Sequence, residues 1–271
     1  MKIIIIPVSY CFYFFKNSAS ERFRCDWLLP YLPADKYDGT QNLDNYDVII
    51  YQKAHSSEML KLAKKYQGKK IQIYDNTDPD FLFNDLKEFA GCMNFITVST
   101  QAVANGFKHY GTPVYVIPDR HELSYYNEKK IHRQVTNPLF VWFGYADNFA
   151  RIEPLLPILK EHKFELKVIC EQPVGHGNFI FWDKDAVNKE IIEGDIVLNL
   201  PDNYGYKSDN KTVTAWLLGM PVVEKVTQIF EFLEYEDRMK ESEKRLKQAQ
   251  EEYNIKRSAE EMLNLIEQFK K

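Results

Sequence analysis

Side chains that could bind an anion gather in the segment 204–211, after an apolar run that ends at Pro201. Four of them stand at the predicted start of a helix: Lys207, Ser208, Asn210 and Lys211. The first turn of a helix presents free backbone N–H groups and a partial positive charge. Because a hydroxyl, an amide and two ammonium groups add to this field, the segment suits a phosphate or diphosphate. An ordinary helix start, capped by Ser208 or Asp209 with its lysines in water, explains the same residues equally well.

Carboxylates form a second candidate group. Asp75, Asp78 and Asp80 follow a strand-like run. A carboxylate at the end of a strand can act as a base toward an acceptor hydroxyl or help to orient it. We select Asp75 as the candidate catalytic carboxylate, although turn and cap roles around Pro79 explain these residues more simply.

Basic side chains form the third group. Ser20 and Arg22 lie at the predicted turn between the first strand and the first helix, where they could bind an anionic acceptor or a phosphate. Solvated arginines are the alternative there. Arg120 and His121 lie where the first half of the chain gives way to the second. We assign Ser20, Arg22 and Arg120 to acceptor or anion binding, and His121 to catalysis.

The composition is that of a folded globular protein. Of the 271 residues, 45% are hydrophobic and 27% are charged, which excludes global disorder and collagen-like sequence. The 35 basic and 39 acidic residues give a net charge of −4, so the charge does not call for nucleic acid. Four scattered cysteines, with no histidine at zinc spacing, predict reduced thiols, a cytoplasmic location and no metal. The N-terminal apolar run is too short to span a bilayer and lacks a cleavage site, which favours a buried strand.

Short apolar runs rich in β-branched residues predict the strands of the first half. They begin at Lys2, Asp47, Lys70, Phe95 and Val114. Such continuous runs are typical of parallel strands that are buried on both faces. The stretches between them predict helices over residues 22–31, 56–66, 81–89 and 100–110. Ser56 is a predicted helix cap, and Gly68 and Gly111 stand where helices should stop.

The same alternation of strand and helix resumes after a polar interval, residues 123–137, which we interpret as a linker. The second set of strands begins at Pro138, Phe164, Asp195 and Gly219, with a short element from Asn178 and helices over 152–162 and 210–218. The predicted fold class is α/β, with two Rossmann-like domains, 1–122 and 138–236, that face a central cleft. Residues 237–271 predict two C-terminal helices that partly pack back on the N-terminal domain, with a break at Asn254 and a fresh cap at Ser258.

Two motifs carry a resemblance to a known family. Lys207-Ser208-Asp209-Asn210-Lys211 followed by Gly219-Met220-Pro221-Val222-Val223 resembles the donor-site region of GT-B glycosyltransferases, of the family-four-like type found in bacterial surface-polysaccharide assembly. Further segments resemble the same enzymes in the same order: SASERFRCDWLLPYL from Ser18, IYDNTDPDF from Ile73, FITVSTQAVANGFKHYGTPVYVIPDRHEL from Phe95 and PLFVWFGYADNFARIEPLLPIL from Pro138. The resemblance covers nearly the whole chain.

The resemblance implies a hexosyltransferase-like enzyme that moves a sugar from a nucleotide-sugar to a glycan or a lipid-linked saccharide. It implies an N-terminal acceptor domain and a C-terminal donor domain, with no metal and no cofactor besides the nucleotide-sugar co-substrate. It also implies bacterial polysaccharide biosynthesis and a cytoplasmic location, with peripheral contact at the inner face of the membrane left open. By position, seven residues would contact the donor: Gly144, Tyr145, Tyr204, Lys207, Ser208, Asn210 and Lys211.

The sequence departs from the family pattern at one functional point. Many family-four enzymes carry two glutamates eight positions apart before the Gly-x-Pro, and Tyr206 and Thr214 stand there in this chain. The departure leaves the donor and the stereochemistry of transfer unassigned. Two alternatives stay open, a catalytically silent GT-B-like binding module and a nucleotide-sugar epimerase.

Overall fold

A computed structural model describes residues 1–13 and 18–270 and divides the chain into two compact units. Unit 1 comprises Met1–Glu122, Tyr204–Ser208 and Ile255–Lys271. Unit 2 comprises Leu123–Asn203 and Asp209–Asn254. The interval 123–137 belongs to unit 2, and the segment that carries Lys207 and Ser208 belongs to unit 1.

Unit 1 is built on a parallel sheet of six strands in the order β2-β1-β3-β4-β5-β6. The strands are β1 Ile3–Ile6, β2 Ala34–Lys36, β3 Val48–Gln52, β4 Ile71–Asn76, β5 Phe95–Val98 and β6 Val114–Val116. Five of them lie at the predicted runs. The edge strand β2 was not predicted, because it is only three residues long and contains no apolar run.

Unit 2 is built on a parallel sheet of five strands in the order β11-β10-β7-β8-β9. The strands are β7 Phe140–Phe143, β8 Leu166–Cys170, β9 Asn178–Phe181, β10 Ile196–Leu198 and β11 Val222–Val223. Four of them lie at predicted strands and β9 lies at the short element predicted from Asn178, so the predicted α/β class is confirmed.

Helices connect the strands of both sheets. The α-helices are α1 Val8–Cys11, α2 Ala19–Glu21, α3 Ser57–Tyr66, α4 Lys87–Gly91, α5 Gln101–Phe107, α6 Leu156–Glu161, α7 Val187–Ile192, α8 Asn210–Leu217, α9 Tyr235–Glu252 and α10 Ile255–Gln268. A π-helix spans Arg22–Asp26, and 3-10 helices span Leu29–Tyr31, Leu43–Asn45, Asp80–Leu82, Lys108–Tyr110, Leu123–Tyr125, Ala146–Leu155 and Val226–Phe230. No helix in the described part of the chain is both long and apolar enough to cross a membrane.

Local signals place most helix ends correctly. The Ser56 hydroxyl accepts from the backbone N–H of Met59 at 3.4 Å, which confirms the predicted cap of α3. Gly111 ends the helical segment before β6 in the left-handed conformation, with φ +80°. The helix predicted over 22–31 is wrong as a single helix, since α2, the π-helix and a 3-10 helix replace it. Pro30 contributes to the break, because proline has no N–H to donate inside a helix.

Alternate side chains of the central strands enter two cores, one on each face of the unit 1 sheet. Ile4 and Ile49 pack with side chains of α3, α4 and α5 on one face. Ile3 and Ile50 pack with side chains of α10 on the other. The prediction of strands buried on both faces is therefore confirmed for β1 and β3.

The C-terminal helices break where the sequence predicts, at Asn254, but the predicted fresh cap at Ser258 is wrong. α10 begins at Ile255, so Ser258 lies inside the helix. Its buried hydroxyl donates to the carbonyl oxygen of Pro118 at 3.2 Å. Ser258 therefore fixes α10 to unit 1 instead of starting it.

The buried face of α10 makes a testable contribution to stability. Ile266 is fully buried in the core it shares with Ile3 and Ile50. We expect Ile266→Ala to lower the free energy of unfolding by about 2–5 kcal/mol, since it removes buried methyl groups and leaves a cavity. Urea unfolding measures this, with the exposed Asn264→Ala on the same helix as control. Equal unfolding midpoints for the two variants would show that α10 does not pack on this sheet.

Candidate functional site

The carboxyl edge of the unit 2 sheet has the topology of a ligand-binding edge. β7 is the central strand, and the chain proceeds to β8 and β9 on one side and returns to β10 and β11 on the other. In open parallel sheets, ligands bind outside the carboxyl ends of the strands where the strand order reverses. In unit 2 that point lies at the ends of β7 and β10, which are followed by Gly144 and Asn199.

Lys211 and Gly144 meet at this edge. Lys211 Nζ lies over the indole ring of the buried Trp142, 4.6 Å from its centre. A Cβ atom added to Gly144, whose φ is +146°, would lie 2.3 Å from Lys211 Nζ. The ammonium group therefore occupies the space that a glycine leaves at the end of β7. Contact with the ring face helps to hold the cation there.

The loop after β7 also contributes a backbone donor. The N–H of Ala146 donates to both carboxylate oxygens of Glu171, at 3.1 Å each. Glu171 follows β8 directly, at the same edge of the sheet. A backbone donor that binds a carboxylate can also bind a phosphate oxygen. Tyr145, next to this donor, exposes 57% of its surface.

α8 begins at Asn210, and the side chain of Asp209 makes no capping bond. Ser208 and Asp209 therefore do not provide the ordinary side-chain cap that was the alternative explanation of this segment. Asn210 and Lys211 form the first turn of α8 in unit 2, with Gly144 and Tyr145 at the end of β7 in the same unit.

A chain of hydrogen bonds that was not predicted from the sequence runs along this edge. Asn199 donates through Nδ2 to the hydroxyl of Thr212 at 2.9 Å, and that hydroxyl donates to Glu224 Oε1 at 3.1 Å. Burial raises the pKa of Glu224, partly offset by the bond from Thr212. Glu224 directly follows the Gly-x-Pro-Val-Val motif. The sequence feature that could have identified Glu224 is its position directly after the short strand β11.

The other three predicted donor residues lie in unit 1. Lys207 Nζ donates to Asp78 Oδ1 at 2.7 Å, and Ser208 Oγ donates to Asp119 Oδ2 at 2.7 Å. Tyr204 is 75% exposed. In this structure the ammonium group of Lys207 and the hydroxyl of Ser208 therefore bind carboxylates of unit 1.

Asp75 lies in a buried ion pair. Its Oδ1 and Oδ2 accept from Arg24 Nη2 and Nε at 2.5 and 3.0 Å. The hydroxyl of Thr97 also donates to Oδ1 at 2.6 Å. The side chains of Asp75 and Arg24 are each only 1% exposed. A general base needs a lone pair that can reach its substrate, so this geometry fits a structural carboxylate better than a catalytic one.

His121 is fully buried against the rings of Phe23 and Trp27, with ring centres 4.7 and 5.8 Å away. Burial, aided by the positive charge of Arg22, lowers the pKa of His121 to about 3. The ring is therefore neutral at neutral pH. Because aromatic rings enclose its imidazole, His121 fits a structural role better than a catalytic one, as Asp75 does.

The three predicted anion-binding residues have distinct surroundings. Arg120 makes a two-bond ion pair with Glu261 on α10, at 2.8 Å for each bond, and donates to Ser258 at 3.1 Å. The Arg22 guanidinium lies about 6 Å from the ring centres of Phe23 and Trp27. The hydroxyl of Ser20 lies 3.2 Å from that of Ser18, the cap of α2. These contacts do not bring the three residues together around one point.

The structure contains a charged cluster at the carboxyl edge of the unit 1 sheet. The sequence analysis named two of its members, Asp78 and Asp80, but did not predict the cluster. Lys53 and Lys207 both pair with Asp78, and His55 and Tyr74 both lie near Asp80. The members come from β4, from the loops after β3 and β4, and from segment 204–208. Distance along the chain hides such a cluster from motif reasoning. Among described residues, no group of three or more His, Cys, Asp or Glu is placed to hold a metal ion.

The ion pairs of Asp78 predict an acid-dependent contribution to stability. Burial alone would raise its pKa, but Lys53 and Lys207 overcome this and lower the pKa to about 2. A carboxyl whose pKa is lowered on folding stabilises the protein above its unfolded pKa, and this contribution is lost as the pH falls toward 2. We therefore expect the wild type to lose more stability than Asp78→Asn between about pH 5 and pH 2.5. Urea midpoints at both pH values test this, and parallel losses would contradict it.

Comparison with known proteins identifies the fold. No protein-family model and no curated protein sequence matches the chain. Among solved structures, it is similar to T4 phage BGT in complex with its UDP-glucose substrate, with a TM-score of 0.59 and 10% identity, over 97% of this chain and 98% of that one. It is also similar to a point mutant of S. aureus TarM in complex with fondaparinux, alpha-GlcNAc-glycerol and UDP, with a TM-score of 0.61 and 12% identity.

The TarM match covers 80% of this chain and 55% of TarM, so the chain spans about half the length of that protein. A third structure, the apo form of the lipopolysaccharide outer core galactosyltransferase WaaB, has a TM-score of 0.53 and 10% identity over 83% of this chain and 80% of that one. The predicted GT-B fold is therefore confirmed. At this level of identity the likeness concerns the fold.

Proposed function

We propose that this protein is a glycosyltransferase that takes a sugar from a nucleotide-sugar and binds the donor's diphosphate at the carboxyl edge of the unit 2 sheet. The observation that carries the proposal is the position of Lys211 Nζ, held against Gly144 and over the ring of Trp142. A fixed cation at the point where the strand order of a parallel sheet reverses suits an anionic ligand. The first turn of α8 adds its partial positive charge at the same place.

The same arrangement suits the chemistry of sugar transfer. When the bond from the sugar C1 to the diphosphate oxygen breaks, the electron pair leaves with the diphosphate, and negative charge grows on it. Lys211 and the N–H of Ala146 are positioned before the reaction, so they stabilise this charge without reorganising. In this proposal the diphosphate displaces Glu171 from the Ala146 N–H. No metal is required to neutralise the leaving group.

We further propose that Glu224 accepts hydrogen bonds from hydroxyl groups of the donor. Its carboxylate follows β11 at the edge where β7 and β10 end, and it already accepts from the hydroxyl of Thr212. A carboxylate in that position replaces the one that the family pattern would place at Thr214. The ribose of the donor has two adjacent hydroxyl groups, and both can donate hydrogen bonds to a carboxylate.

For the acceptor we propose a glycan or a lipid-linked saccharide in bacterial polysaccharide synthesis, at the cytoplasmic face of the membrane. Two similar structures support a saccharide acceptor, since TarM was solved with alpha-GlcNAc-glycerol and WaaB is a lipopolysaccharide galactosyltransferase. Another similar structure, with a TM-score of 0.51, is the DNA-modifying beta-glucosyltransferase. The net charge of −4 favours a saccharide over DNA, because DNA binding draws most of its affinity from phosphate neutralisation.

Turnover of candidate donors tests the proposed function. The protein is incubated with UDP-glucose, UDP-galactose, UDP-N-acetylglucosamine and GDP-mannose, with magnesium or EDTA, and nucleotide release is followed with water as acceptor. We expect one donor to be hydrolysed at the same rate in both conditions. Binding of UDP without turnover of any donor would indicate a silent binding module. Conversion of the sugar without nucleotide release would indicate an epimerase.

A further inference from the structure

Two aromatic side chains of β9 are exposed on the same face of the unit 2 sheet. Phe179 exposes 37% of its surface and Phe181 exposes 67%. They are two residues apart on a strand, so both side chains project from one face. Exposed apolar side chains that lie next to each other mark a binding surface more often than scattered ones do.

The backbone of β9 has one side that no strand covers. β9 is the last strand of its sheet and pairs with β8, and no other strand within residues 1–13 and 18–270 pairs with its outer side. The N–H of Trp182, directly after β9, donates to the carbonyl oxygen of Cys170 on β8 at 2.9 Å. Because backbone groups alternate in direction along a strand, the N–H and C=O groups of Phe179 and Phe181 point away from β8.

β9 also lacks the protection that edge strands ordinarily carry. Natural edge strands avoid pairing with other chains by being very short, or by carrying charged side chains or proline. β11, at the opposite edge of the same sheet, has only two residues, and both are buried. The edge strand β2 of unit 1 contains Asp35 and Lys36. β9 has four residues, Asn-Phe-Ile-Phe, with neither charge nor proline.

We propose that β9 pairs with β9 of a second copy of this chain, in antiparallel orientation about a twofold axis at Ile180. This register places Phe179 opposite Phe181 of the partner subunit, and the reverse, as a self-complementary interface requires. Each of the two pairs exchanges two backbone hydrogen bonds through the outward N–H and C=O groups. The aromatic side chains of each pair then contact each other on one face of the joined sheet, which stabilises the pairing.

A second copy is the partner that the direction of the backbone groups selects. Antiparallel strands alternate between pairs of residues that exchange two hydrogen bonds and pairs that exchange none. With the axis at Ile180, the exchanging pairs are those of Phe179 and Phe181, whose groups point outward. Ile180, whose groups point to β8, faces its own copy in a pair that exchanges none. The four residues of β9 are therefore complementary to themselves.

The length of β9 sets the strength of this interface. A stable complex contains about 20–30 residues on each side, and four residues are far fewer. We therefore expect a weak dimer that is in equilibrium with the monomer at micromolar concentrations of the chain, and not a permanent one.

Sedimentation velocity of the full chain tests the interface. We expect the wild type to shift from monomer to dimer between about 2 and 200 µM. Phe181→Pro removes the outward N–H at a position where an edge strand tolerates proline, so the dissociation constant should rise at least about tenfold. Phe181→Ala keeps this N–H and should weaken the dimer less. The control is Phe230→Lys, at an exposed aromatic residue of the same unit, which should leave the dissociation constant unchanged.

A cross-link gives a second readout that reports the register. In a Cys11→Ser background the three other native cysteines are buried. Ile180→Cys then places two thiols opposite each other at the axis, within the distance that a disulfide spans, and oxidation should give a covalent dimer. The matched control is Asn178→Cys, two residues from the axis, whose thiols would lie about 14 Å apart and should not cross-link.

The proposal is open to contradiction at each step. A wild type that stays monomeric at the highest concentration overturns it and leaves the edge of β9 to a strand of another protein. A dimer that Phe181→Pro leaves intact, or that does not cross-link at position 180, also overturns it, because the interface then lies elsewhere. None of these measurements depends on sugar transfer, so the proposed function stands or falls separately.

Discussion

Replacing Lys211 with methionine is expected to weaken the binding of UDP by about 10- to 100-fold. A hydrogen bond from an ammonium group to a phosphate contributes about 1.5–3 kcal/mol, and each 1.4 kcal/mol is a factor of about ten in Kd. Methionine keeps an unbranched side chain beside the ring of Trp142. The substitution therefore removes the positive charge but retains the packing contact. Isothermal titration with UDP measures the affinity, and thermal unfolding shows that the variant is folded.

Two further variants sharpen the result for Lys211. The exposed Lys160→Met, near the end of α6 and before the amino end of β8 in the same unit, removes a charge away from the carboxyl edge of the sheet and should leave UDP affinity unchanged. Gly144→Ala should weaken UDP binding as Lys211→Met does, because the added Cβ would lie 2.3 Å from the ammonium nitrogen and displace it. Equal UDP affinity in Lys211→Met and the wild type would remove the main support for the donor site.

Replacing Asp75 with asparagine is expected to lower the free energy of unfolding by about 3–5 kcal/mol, because it removes one partner of a buried ion pair. The carboxylate accepts two bonds from Arg24, and both side chains are 1% exposed. Without the negative charge, the guanidinium group stays buried and incompletely compensated. Since a domain is stable by only about 5–15 kcal/mol, the variant should unfold at a much lower urea concentration.

The control for Asp75 is Asp185→Asn, an exposed carboxylate of unit 2 whose loss should change stability by less than about 0.5 kcal/mol. The same experiment separates the structural role of Asp75 from the catalytic role that its position at the end of a strand-like run predicted. A structural Asp75 leaves turnover per folded molecule largely intact below the unfolding transition. Loss of turnover with unchanged stability would restore Asp75 as a catalytic residue.

The central strands were predictable because their apolar runs report burial directly. β1 and β3 are continuous runs of Ile, Val and Tyr, and both faces of each strand pack against helices. β2 carries no such signal, since its pairing with β1 depends on backbone hydrogen bonds and not on apolar side chains. Hydrophobic patterns therefore predict central strands better than edge strands.

The candidate sites were predictable only where motif and fold coincide. Gly144 and Lys211 are far apart in the sequence, and the family resemblance links them because each stands at the end of a strand or the start of a helix. Lys207 and Ser208 belong to the same motif as Lys211, yet their side chains bind Asp78 and Asp119 of unit 1. Sequence proximity alone does not show which unit a side chain joins.

Glu224 illustrates what single-sequence reasoning lacks. Glu224 depends on a chain of hydrogen bonds from Asn199 through Thr212. Such contacts become visible only once the strands have been brought side by side.

A crystal structure of the protein with UDP tests the donor site most directly. We expect a diphosphate oxygen about 2.7–2.9 Å from Lys211 Nζ, as in other charge-assisted contacts, with the diphosphate also at the N–H of Ala146 in place of Glu171. A structure in which UDP binds while Lys211 contacts only Trp142, and the Ala146–Glu171 bonds persist, would contradict the assignment of the donor site to this edge of unit 2.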